Sequence, residues 1–514
     1  MNGFSIKSTM INTGTGVMAR IVGIIANLLL QVVLVYTLGI QYTGVSSLFT
    51  SVLTVLSLAE LGIGNAVSYA LYKPLAINDR KQIAAIMNFY KLAYRLISIT
   101  VFIVGILLIP FLDYIIKDIP DIKESIILIY ILYIAKTTVS YLLIYKSTLL
   151  IANQKNYLVL SVQMVMNVIR AIAGCLILFL LHNFLFYLVI EIVANIVQNL
   201  WISKIVDKKY CELKLYKNIH LEKEEKKSLL SGIKGVAMFK LSHCLGEGLD
   251  NVIVSAFVNT SAVGFMSNYL LIKEQLIQLL NQFYNSLIPG IGSLAVTASS
   301  DKQYGLFSRI LFLNFWIGCF CSVSYFILIQ PLITILFGID YLLPTAIAAV
   351  ITLDFYLACM LNVIASFRNA NGLFIQGQYR PLVTTIMNVI LSVIWGKKMG
   401  ILGVLLATVV SRLLTQWYDP WLLFKYIFKK SSKSFFLEYY SYLFLTIICI
   451  GVTWESCSFL SVSNIYLNFV MRGIACIVIP NTLIFLIFHK TNKYIFCMQK
   501  LKTFCMRIAA KLSV

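Results

Sequence analysis

VVLVYTLGIQYTGVSSLF, residues 32–49, and VIVSAFVNTSAVGFMSNY, residues 252–269, are one pattern written twice at an offset of 220. Val32 aligns with Val252, Leu38 with Val258, Gly44 with Gly264 and Ser47 with Ser267. Farther on, Met166-Asn167-Val168-Ile169 recurs as Met387-Asn388-Val389-Ile390, at an offset of 221. Apolar helices resemble one another by chance, so either match alone carries little. Two nearly equal offsets more than a hundred residues apart carry more. The offset encloses six apolar runs, an even number. The two copies therefore cross a membrane in the same sense, related by an axis along its normal, as in two-lobed transporters.

The rest of the chain fits that frame. Of 514 residues, 60% are hydrophobic and 12% charged, where a soluble domain carries about 25% charged residues. Mean hydropathy is +0.86. A helix needs about 20 apolar residues to cross roughly 30 Å of hydrocarbon. Such runs lie at 14–39, 44–72, 92–116, 125–145, 158–181, 184–203, 234–258, 262–290, 306–330, 345–366, 381–395, 400–424, 438–454 and 466–488. They are too long and too evenly apolar for barrel strands. The first, Gly14 to Ile40, exceeds a signal-peptide core and reads as a retained helix.

The expected fold is an all-α polytopic membrane protein of about fourteen transmembrane helices. An N-lobe occupies 1–205 (spans 1–6), a connecting loop 206–232, and a C-lobe 233–428 (spans 7–12). Two extra helices fall within 429–488 and a tail within 489–514. The lobes are related by a pseudo-twofold along the membrane normal, and a substrate is expected between them.

Charge sets the orientation. With the N-terminus inside, 31 of the 42 Lys and Arg fall on the inner side, 7 within spans and 4 outside, namely Lys117, Lys123, Lys397 and Lys398. By the positive-inside rule both termini are cytoplasmic, the chain being expected in an inner membrane. The net charge of +21 thus follows the membrane and does not indicate a nucleic-acid partner. Of the eleven cysteines only Cys457 falls in an expected outer loop, so no disulfide framework is implied. The 206–232 stretch, rich in Lys and Glu, reads as a solvated connector too short for a catalytic domain. In the tail, Tyr494, Cys497, Met498, Leu501, Phe504, Ile508 and Leu512 recur at helical spacing among Lys500, Arg507 and Lys511. That predicts an amphipathic helix on the anionic inner leaflet.

Ionisable groups cost about 2.5–3.5 kcal/mol each at a helix centre, so those inside spans are functional candidates. In span 7, Lys240, His243, Glu247 and Asp250 form one stripe. In span 1, Arg20, Gly23, Asn27 and Gln31 form another, and the offset carries them onto Lys240, His243, Glu247 and Asn251. A shared water-filled cavity explains two symmetry-related stripes. The alternatives are that Lys240 and Glu247 neutralise each other, or that both cations snorkel to the inner surface. In span 8, Glu274, Gln278, Asn281, Gln282 and Asn285 share a face. Its amides suit sugar hydroxyls, although amides also join helices. Lys273 points away from that face, toward another helix. Glu60, Arg170, Glu191, Asp354, Arg412 and Arg472 are scattered. Glu191 and Arg412 are nearly repeat-equivalent (191 + 220 = 411), which raises an ion pair between them.

No GxxxxGK[ST] loop is present, Gly14-Thr15-Gly16 lacks the lysine of one, and the four histidines have no metal-ligand spacing. Nothing resembles a nucleophile elbow. The chain is not expected to be an enzyme or to need a cofactor.

Several segments resemble a known family. They are Leu38-Gly39 through Glu60-Leu61-Gly62-Ile63-Gly64-Asn65-Ala66, then Tyr72-Lys73-Pro74-Leu75-Ala76, and Ala152-Asn153-Gln154-Lys155-Asn156-Tyr157. Asp250-Asn251-Val252-Ile253-Val254 with Gly264, and Arg368-Asn369-Ala370-Asn371-Gly372-Leu373-Phe374, complete the set. Their order over residues 10–425 resembles the Wzx-type polysaccharide repeat-unit flippases of the multidrug/oligosaccharidyl-lipid/polysaccharide (MOP) exporter superfamily. The resemblance implies a two-lobed, V-shaped helical fold. It also implies flipping of undecaprenyl-diphosphate-linked oligosaccharides from the inner to the outer leaflet, for capsule, O-antigen or exopolysaccharide assembly. Polysaccharide polymerase and glycosyltransferases are the implied partners. Many such flippases have twelve helices; the extra pair here keeps a lipid II flippase in view.

On this reading Arg20 and Lys240 receive the diphosphate, and Asn27, Gln31, Glu274, Gln278, Asn281 and Asn285 line the cavity for the sugar. His243, Glu247 and Asp250 are candidates for coupling to H+ or Na+. The rival transporter is a drug/cation antiporter of the same superfamily, which favours an acidic or aromatic cavity. The rival of another class is a membrane polysaccharide polymerase or ligase, which calls for a large outer loop; the outer loops here are short.

Overall fold

The computed structural model describes residues 6–60, 63–118, 120–216, 219–227, 241, 245, 248–297, 299–459, 464–500 and 502. Helices and turns make up the whole, with no strand among the described residues. The main helices are α1 (Ile6–Leu38), α2 (Ile40–Leu56), α3 (Ile63–Ile77), α4 (Arg80–Leu107), α5 (Ile126–Ala152), α6 (Asn156–Leu181) and α7 (Phe184–Lys209). After the connector come α8 (Gly248–Phe257), α9 (Thr260–Thr297), α10 (Ser300–Leu336), α11 (Thr345–Ala370), α12 (Tyr379–Met399), α13 (Ile401–Thr415), α14 (Lys433–Phe459) and α15 (Ile465–Phe488). Ten described helical stretches are long and apolar enough to cross a membrane, eleven with the bent α5. The protein is a multi-pass membrane protein.

Local chemistry places several boundaries. Asp79 caps α4 by accepting the Gln82 N–H at 3.0 Å, and Asn183 caps α7 by accepting that of Phe186 at 3.1 Å. Asn464 caps α15 through the Tyr466 and Leu467 N–H groups. Gly39 separates α1 from α2 at φ 95°, a conformation that a side chain would strain.

The chain divides into two compact units. Unit 1 is Met1–Ser267 with Val393–Val404; unit 2 is Asn268–Ser392 with Leu405–Val514. One unit 1 core gathers Tyr42, Phe49, Tyr130, Ile134, Leu178 and Phe184, and another Val67, Tyr90, Tyr94, Tyr145 and Val162. In unit 2 the core runs from Phe307, Phe312 and Phe315 through Tyr356 and Met360 to Tyr442 and Cys476.

Within unit 1 the two copies of the repeat touch. A Cβ on Gly44 would lie 2.1 Å from the Thr260 carbonyl oxygen, and one on Gly264 would lie 2.6 Å from that of Ile40. Residues 40 and 260 are equivalent by the same offset as 44 and 264 (40 + 220 = 260). The start of α2 therefore crosses the start of α9 backbone to backbone, each glycine admitting the other copy's carbonyl.

Three expectations are corrected and one is made more specific. Span 2 is not one helix: α2 passes into a 3₁₀ turn, Ser57–Glu60, and α3 begins at Ile63. Cys457 is not in a loop but buried near the end of α14, whose helix outlasts the apolar run. The connector, mostly exposed among its described residues, is also tied to α4: Asn88 donates to the Tyr216 and Ile219 carbonyls at 3.1 and 3.0 Å, Gln82 donates to Glu225 at 2.8 Å, and Arg80 pairs with Glu212. The described tail is a helix over 492–500, but Tyr494 and Cys497 are buried in protein and not laid on lipid. Tyr494 stacks on Trp316 at 5.2 Å, and Arg309 of α10 sits 4.6 Å from the Phe496 ring. Met498 stays exposed, while Leu501, Phe504, Ile508 and Leu512 lie outside the described residues.

Candidate functional site

Unit 1 gathers charge on Glu191. This carboxylate comes from α7 with its side chain 3% exposed, and two cations converge on its Oε2. Lys136 of α5 reaches it at 2.9 Å and Arg170 of α6 at 3.5 Å. Arg170 Nη2 also donates to Asn27 Oδ1 of α1 at 2.6 Å. Four helices thus meet through one polar cluster. A lone carboxylate at this depth is costly, and one cation would neutralise it. Here there are two, so the group sums to +1 (two cations, one carboxylate). An excess charge in an apolar surrounding needs water or an anion, and the cations remain open, Lys136 by 29% and Arg170 by 23%. Asn27 is exposed on a membrane-length helix, which also calls for a polar surrounding. Arg20 lies half-buried two turns before Asn27, about 10 Å along α1.

Unit 2 gathers charge on Asp354 of α11, 6% exposed. Lys273 of α9 pairs with its Oδ2 at 3.0 Å and Arg412 of α13 with its Oδ1 at 3.1 Å. Lys273 also reaches Glu274 at 3.1 Å, so this cluster sums to zero. The repeat offset of 220 carries Lys136 to within two residues of Asp354 and Glu191 to within one of Arg412, and the signs of the two pairs are reversed. Lys faces Glu in unit 1 where Asp faces Arg in unit 2.

A second pair lies nearer the other ends of these helices. In unit 1, Lys146 of α5 pairs with Asp207 of α7 at 2.8 Å and donates to Ser203 at 2.6 Å. In unit 2, Asp419, 1% exposed, accepts Arg368 of α11 at 3.0 Å and Arg380 of α12 at 2.9 Å.

The expected residues fare unevenly. Asn27 joins the unit 1 cluster, and Gln31 lies a turn beyond it, half-buried. Glu274 borders the unit 2 cluster; along α9, Gln278 and Gln282 are exposed and Asn281 half-buried. Asp250 is half-buried on α8. Lys240, His243 and Glu247 lie outside the described residues, as does the Asn285 side chain. Lys273 does turn to another helix, meeting Asp354. Glu191 and Arg412, weighed above as partners, instead have their ion pairs inside their own units. The scattered charges Arg170, Glu191, Asp354 and Arg412 are the ones that the fold collects. Sequence reading passed over Lys136, Lys146, Asp207, Arg380 and Asp419; a lysine inside an apolar run was the available signal for Lys136. Among the described residues no group of three or more His, Cys, Asp or Glu is placed to hold a metal.

No family model and no curated protein matches the chain. Solved structures do. The lipid II flippase MurJ, in an inward closed conformation, aligns with 94% of this chain and 99% of its own, at a TM-score of 0.68 and 15% identity. An inward-facing multidrug resistance MATE family transporter of the MOP superfamily aligns with 77% of this chain and 93% of its own, at 0.57 and 14%. A MOP superfamily transporter from Pyrococcus furiosus aligns with 80% and 94%, at 0.56 and 12%. Near-complete coverage at such low identity is a likeness of helix arrangement, and the fold of this chain is that of the MOP superfamily transporters.

Proposed function

We propose that the protein is a flippase for polyprenyl-diphosphate-linked oligosaccharide repeat units, moving them from the inner to the outer leaflet by alternating access. One observation carries the reading: Lys136 and Arg170 share a single buried carboxylate and leave unit 1 with accessible positive charge. That charge suits a diphosphate and opposes a cationic drug. Arg170 offers planar, paired donors to phosphate oxygens and Lys136 a point charge. Arg20 and Lys240 extend the cationic set toward the cytoplasmic ends of spans 1 and 7. The exposed amides of α9 take the sugar. A diphosphate with about two negative charges gains roughly 2.3 kcal/mol per charge per 100 mV on moving outward across an inside-negative potential. A coupling H+ or Na+, held by His243, Glu247 or Asp250, then resets the empty carrier.

In this proposal the chain crosses a bacterial inner membrane fourteen times with both termini inside, as two six-helix lobes plus two helices. It performs no chemistry on its cargo; glycosyltransferases supply the repeat unit and a polymerase consumes it. Lipid II is a second reading, favoured by the near-complete alignment with a lipid II flippase.

The test is flipping of a fluorescent polyprenyl-diphosphate saccharide in vesicles holding the purified protein, beside fluorescent lipid II. Wild type is expected to flip the saccharide, and Lys136→Gln/Arg170→Gln and Arg20→Glu/Lys240→Glu to lose it while still inserting. Full flipping by both double variants would overturn the assignment of these cations. Flipping of lipid II alone would select the second reading.

A further inference from the structure

The polar face of α9 carries charge of one sign. Lys273 and Glu274 are the charged side chains among its 38 residues; they form an ion pair in which the ammonium is the buried end and the carboxylate the exposed one. Lys273 points inward to Asp354 at 3.0 Å with its side chain 11% exposed, while the Glu274 side chain stays 41% exposed. Both cations of this cluster are engaged by Asp354, Lys273 on one oxygen and Arg412 on the other. Lys273 also holds Glu274 Oε1 at 3.1 Å from the buried side, so the open side of the carboxylate meets no cation of the cluster. One and two turns on, Gln278 and Gln282 are exposed, and Asn281 is half-buried. In a membrane protein such a face stands against water or a polar ligand.

These groups have defined tastes. Amides both donate and accept, which suits hydroxyl and N-acetyl groups; an ionised carboxylate only accepts. Glu274 therefore bonds a hydroxyl or an ammonium and repels another carboxylate. Resting on the flippase reading, we infer that α9 is a charge filter on the cargo's sugars. It admits neutral and amine-bearing sugars, and Glu274 disfavours repeat units that place an acidic sugar, such as a hexuronic acid, on this face. Two like charges about 6 Å apart in a partly wet site weaken binding by a factor of about ten.

The experiment measures binding of three probes to the full-length purified protein. Each carries the same short polyprenyl diphosphate, joined to an N-acetylhexosamine, an unacetylated hexosamine or a hexuronic acid. The expected result is that the first two bind and the hexuronate binds about tenfold more weakly. Glu274→Gln should close that gap, the hexuronate and the N-acetylhexosamine then binding that variant within about threefold of each other. Gln278→Glu, at an exposed position one turn on, should widen it, and covers the case in which Glu274→Gln does not fold. Equal binding of all three probes by wild type overturns the filter and leaves the flippase reading standing. Binding of none removes that reading and the filter with it. A gap that persists in Glu274→Gln, or fails to widen in Gln278→Glu, shows that Glu274 and its face do not set the preference.

Discussion

Replacing Gly44 by alanine should loosen unit 1 more than any other single methyl added to a glycine of a described helix that stands in open space. The new Cβ would stand 2.1 Å from the Thr260 carbonyl oxygen and 3.0 Å from its carbon. The obstacle is helix backbone, which cannot rotate aside, so the start of α2 must withdraw from α9 by about 1 Å. Overpacking of this kind costs about 1–3 kcal/mol, and a backbone obstacle puts it at the upper end. Alanine regains about 1 kcal/mol of helix propensity, which is why the control matters. Gly473, inside α15, has nothing within 4 Å of an added Cβ, so Gly473→Ala keeps the gain without the clash. The propensity gain cancels between the two variants, which should differ by the clash alone, about 1–3 kcal/mol and toward its upper end, or several degrees in the apparent unfolding temperature in detergent at one scan rate. Gly264→Ala, meeting the Ile40 carbonyl oxygen at 2.6 Å, should behave like Gly44→Ala. The double variant should cost less than the sum, because one separation relieves both clashes. A Gly44→Ala protein that unfolds with Gly473→Ala, or costs that simply add, would refute a backbone crossing at this point.

Three further outcomes are expected. Asp354→Asn leaves Lys273 and Arg412 without their carboxylate and should destabilise by about 3–5 kcal/mol; Asp354→Lys/Arg412→Glu, which copies the Lys136–Glu191 polarity, should recover part of the yield that Asp354→Lys loses. Asp419→Asn should cost a similar ~3–5 kcal/mol by stranding Arg368 and Arg380, with Asp419→Glu milder, read as thermal stability in detergent. A reporter active only outside the membrane, fused after Lys227, should be silent, and strong activity there would invert the topology.

The helices are legible in the sequence, because a bilayer demands about 20 apolar residues per crossing and that demand is local along the chain. Each of the fourteen apolar runs overlaps a described helix. The repeat is legible too, and its Gly44 and Gly264 prove to be the residues at the crossing. What hydropathy overlooks is where a run breaks or where a helix outlasts its apolar part: the turn at Ser57–Glu60 lies inside an apolar stretch, and the last turns of α14 continue through the polar Glu455, Ser456 and Ser458. The candidate site is legible only as a set of costly residues. Asn27 and Glu274 stand out along the chain, but the partners of Glu191 and Asp354 do not.

The sequence by itself determined an all-helical membrane chain, its duplicated pattern and the surplus of cations, since composition, period and length are properties of a chain read along its length. Only the tertiary structure decided that Lys136 and Arg170 meet on Glu191, that Lys273 and Arg412 meet on Asp354, and that Tyr494 stacks on Trp316 rather than lying on lipid. Those partners stand between 21 and 178 residues apart (Arg170 to Glu191; Trp316 to Tyr494). A buried charge accepts any counter-charge that packing brings within reach, and packing is set by the shapes of whole helices, which no local pattern encodes.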